Sequence, residues 1–300
     1  MGNRRRRFFR IVAITMVLLS VIYLGVSAIV AGIAWHPIRR ALTTNPGRYG
    51  MPYEDVQFAS AGDNIPLSGW FIDSPGNDTI VLMHGQGNIR DNYISMEVSK
   101  VLFQHNYDLL LFDFRGHGNS GGDVGSIGML ERRDVAGALS YLKSRGVAEV
   151  GTLAYSMGAS TVLLAAPEHP EMRAIVVDSP FADLYSIMEG QRAKTGMPPS
   201  FFNPGIILMS QVLYGINPMQ NQPREAMARL GDRPILLIHS TVDDLIPVSN
   251  AYELQKAGAS NPNLEVWIAP ASSHVAVFAE HRQEYLDRLI RFFDKYLRRK

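Results

Sequence analysis

The chain has 300 residues, 46% of them hydrophobic and 19% charged, and no cysteine. That length suits one domain of ordinary size plus some additional chain, and the missing cysteine excludes disulfide scaffolds, thiol nucleophiles and cysteine-ligated zinc. The formal charge of +1 hides a segregation: eight arginines and no acid fall in residues 1–50, so 21 of the 29 basic residues remain to face all 28 acidic ones. An acidic main body argues against nucleic acid as partner.

In chain order, residues 1–10 form a basic amino terminus, with Arg4 to Arg7 and Arg10. From Ile11 to Ile33 there is no charge and few polar groups. As a helix at about 1.5 Å per residue that run covers roughly 35 Å, against a hydrocarbon core of about 30 Å. Residues 11–35 are therefore expected to be a single-pass transmembrane anchor, with Trp35 as an aromatic belt residue at the interface. The alternative is a cleaved signal peptide cut near Val26-Ser27-Ala28, but the apolar run exceeds the usual length of about 7–15 residues. Five arginines precede the run and three follow it. This bias sets the amino terminus in the cytoplasm and the rest of the chain on the outer side. Residues 36–52, with three prolines and two glycines, read as a juxtamembrane linker.

The remainder, 53–300, alternates strand and helix. Glu54–Ser60 and Ile65–Asp73 flank Ala61-Gly62-Asp63-Asn64 as a hairpin. Thr79–His84 and Tyr107–Asp113 are nearly all-apolar strands of the kind buried on both faces of a parallel sheet. Helices are expected at Arg90–His105, Met129–Arg145 and Glu280–Leu297, and further strands at Val150–Tyr155, Met172–Asp178, Pro234–His239 and Asn263–Ala269. The architecture is α/β, a mostly parallel sheet with helices on both faces. Residues 183–232 break this rhythm with Met197-Pro198-Pro199-Ser200-Phe201-Phe202, either as a long connection or as a lid.

The strand Val150–Tyr155 stops at Ser156 and small, helix-forming residues follow. A serine at a sharp strand-to-helix turn has its hydroxyl pushed out of the sheet edge, and the next amide, that of Met157, opens a helix. Ala154 and Gly158 supply the small neighbours such a turn needs. A serine of this kind requires a base, and the base an orienting carboxylate, from loops at the carboxyl ends of other strands. The loops after His239 and Ala269 offer Asp243, Asp244 and His274, and Asp183 follows an earlier strand.

Ala154-Tyr155-Ser156-Met157-Gly158 resembles the nucleophile elbow of the α/β-hydrolase superfamily, with alanine for the first glycine. The order Ser156, Asp243, His274 matches that superfamily's, and His239-Ser240-Thr241-Val242-Asp243-Asp244-Leu245-Ile246-Pro247 resembles its acid loop with Ser240 for glycine. By position the resemblance makes Asp243 the acid. His84-Gly85-Gln86-Gly87 resembles the superfamily's His-Gly motif, which implies Gln86 as second oxyanion donor beside Met157. Asp113-Phe114-Arg115-Gly116-His117-Gly118-Asn119-Ser120 is similar to a structural loop of these proteins; it lacks the spacing of a phosphate loop. The insertion at about 183–232 is, on the same resemblance, a small cap.

The resemblance spans about 53–298 and implies an α/β-hydrolase fold carrying a serine hydrolase of the esterase or serine-aminopeptidase-like branch. Its expected substrate is a small-molecule or lipid-like acyl compound, cleaved through an acyl-enzyme. No cofactor is implied, and no metal-ligand spacing occurs. Two alternatives stay open: an aminopeptidase or amidase using the same three residues, and a catalytically silent binding domain. No oligomeric state follows from the pattern.

Overall fold

Strands that bury both faces must be apolar throughout, and here they lie in the middle of one sheet. The computed structural model describes residues 2–195 and 200–298, with side chains of 4–190 and 200–298. It contains β1 (Glu54–Ala59), β2 (Pro66–Ile72), β3 (Asp78–Met83), β4 (Tyr107–Phe112), β5 (Val150–Tyr155), β6 (Met172–Asp178), β7 (Ile235–Ser240) and β8 (Leu264–Ala269). Their order is β1-β2-β4-β3-β5-β6-β7-β8. Only β2 runs antiparallel to its neighbours, as a hairpin with β1 and against β4. The remaining pairs are parallel. Every residue of β4, β5 and β7 is buried.

Ten helices are described: α1 (Gly2–Trp35), α2 (Tyr93–Gln104), α3 (Glu131–Ser144), α4 (Met157–Ala165), α5 (Leu184–Thr195), α6 (Asn203–Tyr214), α7 (Pro223–Met227), α8 (Ser249–Ala257), α9 (Val277–Glu280) and α10 (Arg282–Tyr296). Because side chains alternate along a strand, each strand feeds two cores. On one face Val81, Ala154 and Val177 meet Leu139 of α3, Val162 of α4 and Leu254 of α8. On the other, Leu82, Leu153 and Val176 meet Met96 of α2 and Leu289 and Phe293 of α10.

Register aligns the carboxyl ends. Met83 is opposite Ala154, Tyr155 opposite Asp178, Asp178 opposite Ile238, and Ser240 opposite Ala269. The loops leaving β3, β5, β7 and β8 therefore share one rim, the crevice side of an open α/β sheet.

Two expectations need correction. Trp35 is 1% exposed, its indole N–H donating to Ser210 Oγ at 2.8 Å, so it is an internal packing residue and not a belt residue facing lipid. A polar ring N–H that finds a buried hydroxyl favours this over the interface. Nor do residues 36–52 form a free linker. The Arg39 guanidinium donates to the carbonyls of Gly118, Ser120 and Gly122, and the Asp91 carboxylate accepts the amides of Thr43 and Thr44. This segment is strapped to the body. The insertion consists, where described, of α5, a turn at Ser200–Phe202, α6 and α7; Met197, Pro198 and Pro199 lie outside the described residues.

The glycine-rich loop after β4 is held by charge. Arg115, 2% exposed, donates to both carboxylate oxygens of Asp134 on α3, to Asp63 Oδ2 at 2.8 Å and to Ser60 Oγ at 2.7 Å. Truncating one member of such a buried pair strands the other charge. Arg115→Ala is expected to lower unfolding stability by about 3–5 kcal/mol in urea titrations; a loss under about 1 kcal/mol, the scale of an exposed pair, would contradict this.

Candidate active site

Ser156 sits between β5 and α4 with φ 53° and ψ −118°, a left-handed backbone that costs a non-glycine residue about 1–3 kcal/mol. The strain is held from several sides. The Ser156 amide donates to the carbonyl of Asp178 at 2.8 Å, and its carbonyl accepts from Ser160 at 3.0 Å. Gly158 explains itself: a Cβ there would lie 2.6 Å from the carbonyl oxygen of His84 and 2.9 Å from that of Met83. Ala154 is fully buried between Met83 and Val177 in the sheet register, so its extra methyl fills core space.

His274 follows β8, its imidazole between two of the residues named from sequence. Nε2 is 2.8 Å from Ser156 Oγ and Nδ1 is 2.7 Å from Asp243 Oδ2. Asp243 Oδ1 accepts the amides of Leu245 at 3.0 Å and Ile246 at 2.7 Å. Burial works to raise the pKa of Asp243, but the hydrogen bond and charge of His274 and the Ile246 amide outweigh it and hold the carboxyl below its usual range. The rival acids lie elsewhere. Asp244 is exposed, while Asp183 accepts the Ser186 amide and pairs with Arg224 at 3.2 Å. His239, the penultimate residue of β7, donates to the Ile246 carbonyl at 2.9 Å and so helps shape the loop that carries Asp243.

The hydroxyl, the imidazole and the loop after β3 line one cleft of about 240 Å³, formed by Gly85, Gln86, Asn88, Asn92, Ile94, Tyr155, Ser156, Leu245, His274 and Val275. Gln86 is thus beside Ser156, and Met157 opens α4, where helix geometry leaves amides unpaired. None of the residues lining this cleft belongs to the described part of the insertion; α5 and α6 pack with α1, Phe181 and Ile246, and α7 packs against α4 and α8.

In the sequence His84 is marked only by the His-Gly motif and His117 only by its glycine loop. The geometry gives each a task. His84 Nε2 accepts the Phe114 amide at 3.0 Å while Nδ1 donates to the Gly85 carbonyl at 2.8 Å. His117 Nε2 accepts the Gly87 amide at 3.3 Å and Nδ1 donates to the Arg115 carbonyl at 2.8 Å. Two neutral imidazoles, 5.0 Å apart, thereby fix the Gly85–Gly87 backbone. Burial first, then the neighbouring His117, press the His84 pKa down to about 4; burial also lowers that of His117. Asp178 lies behind the elbow, and burial pushes it up to about 6 despite hydrogen bonds from Ser179 and Tyr285. A glycine-loop histidine has no distinguishing sequence signal, since its partners are backbone groups from other strands.

A histidine with a depressed folded pKa leaves the unfolded chain to take up the proton first, so its stabilisation is complete above about 6.5 and is lost as pH falls towards about 4. The difference in urea stability between wild type and His84→Asn is expected to shrink across that window; a difference constant with pH would contradict the neutral assignment.

Comparison with known proteins bears on the fold. Residues 75–211 match the family model described as serine aminopeptidase, S33. The chain is 29% identical over 225 residues to YqkD of Bacillus subtilis, covering 72% of this chain and 71% of that one. It is 26% identical over 249 residues to YfhR of Escherichia coli K12, covering 80% of both. Among solved structures it is similar to the Pyrococcus furiosus esterase Pf2001, with TM-score 0.74 and 26% identity over 88% of this chain and 100% of that one. Sheet order, elbow and family match together assign the chain to the α/β-hydrolase superfamily, as a hydrolase of that fold.

Proposed function

We propose that the chain is a serine hydrolase, held at a membrane by α1, that cleaves an ester through an acyl-enzyme. One observation carries this reading: the unbroken hydrogen-bonded line from Ser156 Oγ through His274 to Asp243, at 2.8 and 2.7 Å. In the first step His274 Nε2 takes the hydroxyl proton as Ser156 Oγ attacks the carbonyl carbon. Asp243 holds the ring and balances the imidazolium. The amides of Gln86 and Met157 receive the oxyanion, an interaction typically worth about 3–4 kcal/mol per donor in the transition state. The proton then passes to the leaving alcohol, and water, activated by the same imidazole, releases the acid.

The name of the matched family model favours a second reading, an aminopeptidase on the same residues. Recognition of a free amino group calls for a carboxylate near the nucleophile. The ten cleft residues include none, whereas Ile94, Leu245 and Val275 offer apolar walls, which supports an uncharged acyl group. The membrane reading draws on α1, whose stretch Arg4–Trp35 is long enough to cross and contains an 18-residue window of mean hydropathy 2.4. The arginine bias supports an amino terminus in the cytoplasm and the hydrolase outside.

Ser156→Ala is expected to reduce turnover of p-nitrophenyl butyrate by about 10⁴-fold or more and to abolish labelling by a fluorophosphonate. A variant that still turns over the ester, or still labels, would exclude this nucleophile. Cleavage of peptide nitroanilides in preference to esters would favour the second reading.

A further inference from the structure

The anchor helix and the insertion are built together. Along α1, Tyr23, Ser27, Ala31 and Trp35 recur every fourth residue; Ser27, Ala31 and Trp35 are buried and Tyr23 half-buried, whereas Ile11 to Ile22 stand exposed on the described chain. What covers that stripe is α6. A Cβ on Gly205 would come within 2.3 Å of Ser27 Oγ, so a glycine is required at the crossing, the small-residue contact by which helices approach closely in lipid. Tyr23 stacks on Phe202 with ring centres 5.2 Å apart. The contact runs from Tyr23 to Trp35, about 18 Å of helix, and lies within the outer half of the stretch that matches the bilayer.

Three features of α6 fit hydrocarbon better than water. Residues 195–223 contain no Asp, Glu, Lys, Arg or His, and this stretch is bracketed by Arg192 and Lys194 on one side and Arg224 on the other. The exposed face of α6 is largely apolar, with Leu208 50%, Val212 67% and Leu213 50% exposed around one polar residue, Gln211. The anchor also pairs two backbone groups at the start of α6, where the neighbouring Asn203 Oδ1 finds no hydrogen-bond partner among the described residues. Tyr23 Oη donates to the Phe201 carbonyl at 2.8 Å and accepts the Gly205 amide at 2.9 Å, which removes polar groups that lipid cannot solvate.

The position of α1 on the body sets which rim meets the membrane. The Trp35 carbonyl accepts the Gly125 amide at 2.8 Å, and Arg39 straps the chain to the loop after β4. Both contacts lie at the carboxyl rim of the sheet, the rim that carries Ser156. We propose that α6 dips into the leaflet beside α1, that the Ser156 rim faces the bilayer, and that the substrate is an ester lipid drawn from that leaflet. The last clause rests on the ester reading above and the first on α1 spanning the membrane.

Because the chain has no cysteine, single cysteines can report depth. Full-length Leu208→Cys and Val212→Cys, each carrying a nitrobenzoxadiazole label in phosphatidylcholine–phosphatidylglycerol vesicles, are compared with Leu18→Cys in the span and Tyr252→Cys on α8. The expected result is blue-shifted emission at 208 and 212, quenched by nitroxide lipid and several-fold less by iodide than the label at 252. A lipid-like signal at 18 with water-like signals at 208 and 212 would overturn the immersion alone; a water-like signal at 18 would remove the anchor and the inference with it. In a second arm, Leu208→Asp with Val212→Asp should lower the ratio of vesicle-borne monoacylglycerol cleavage to soluble p-nitrophenyl acetate cleavage by about ten-fold. An unchanged ratio would overturn the lipid substrate. If wild type cleaves neither ester, the ester reading falls while the depth labels still decide the immersion.

Discussion

The turn at Ser156 is the constraint around which the other parts are arranged. A serine at φ 53° is unfavourable by itself and persists only where its surroundings over-determine it. The Asp178 carbonyl fixes its amide, and the absence of a side chain at Gly158 lets α4 sit against the carbonyls of Met83 and His84. The same contact ties the elbow to the loop after β3, so Ser156 and the Gln86 amide are set relative to one another by backbone packing. A parallel sheet with aligned strand ends then carries the loops of Asp243 and His274 to the same place.

Electrostatics at this rim sort into inner and outer roles. His84 and His117 are neutral and serve backbone groups; the more exposed His274, 17% accessible at its side chain, bridges a carboxylate and a hydroxyl. Asp243 stays ionised because His274 and two amides stabilise its charge, whereas Asp178, fully buried behind the elbow, is driven up to about 6. Two carboxylates in one neighbourhood are thus shifted in opposite directions, Asp178 up by burial and Asp243 down by its hydrogen-bond partners.

Most of the fold was legible because its signals are local. Eight strands were expected and eight are described, since continuous apolar runs bounded by turns mark doubly buried strands. The turn at Ser156 was legible from the abrupt strand end with small neighbours, and the loops of Asp243 and His274 from their places after β7 and β8, although only the family resemblance separated Asp243 from Asp244 and Asp183. The insertion was harder to read. Its uncharged helix α6 has no sequence mark that distinguishes a cleft cover from a partner for the anchor, because that depends on Gly205 meeting Ser27, residues far apart in the chain. Trp35 misled for the same reason: a tryptophan at the end of an apolar helix fits a membrane interface, and its bond to Ser210 is visible only in three dimensions. The strapping of residues 36–52 joins a side chain to backbone on each side, Arg39 to the carbonyls after β4 and Asp91 to the amides of Thr43 and Thr44, and backbone partners are invisible to side-chain patterns.

The most direct measurement is a crystal structure of the protein after reaction with an alkyl fluorophosphonate. The account predicts phosphorus bonded to Ser156 Oγ, the phosphoryl oxygen about 3 Å from the amides of Gln86 and Met157, and His274 still paired with Asp243. Phosphorus on another residue, or on Ser156 with its oxygen turned away from both amides, would contradict it.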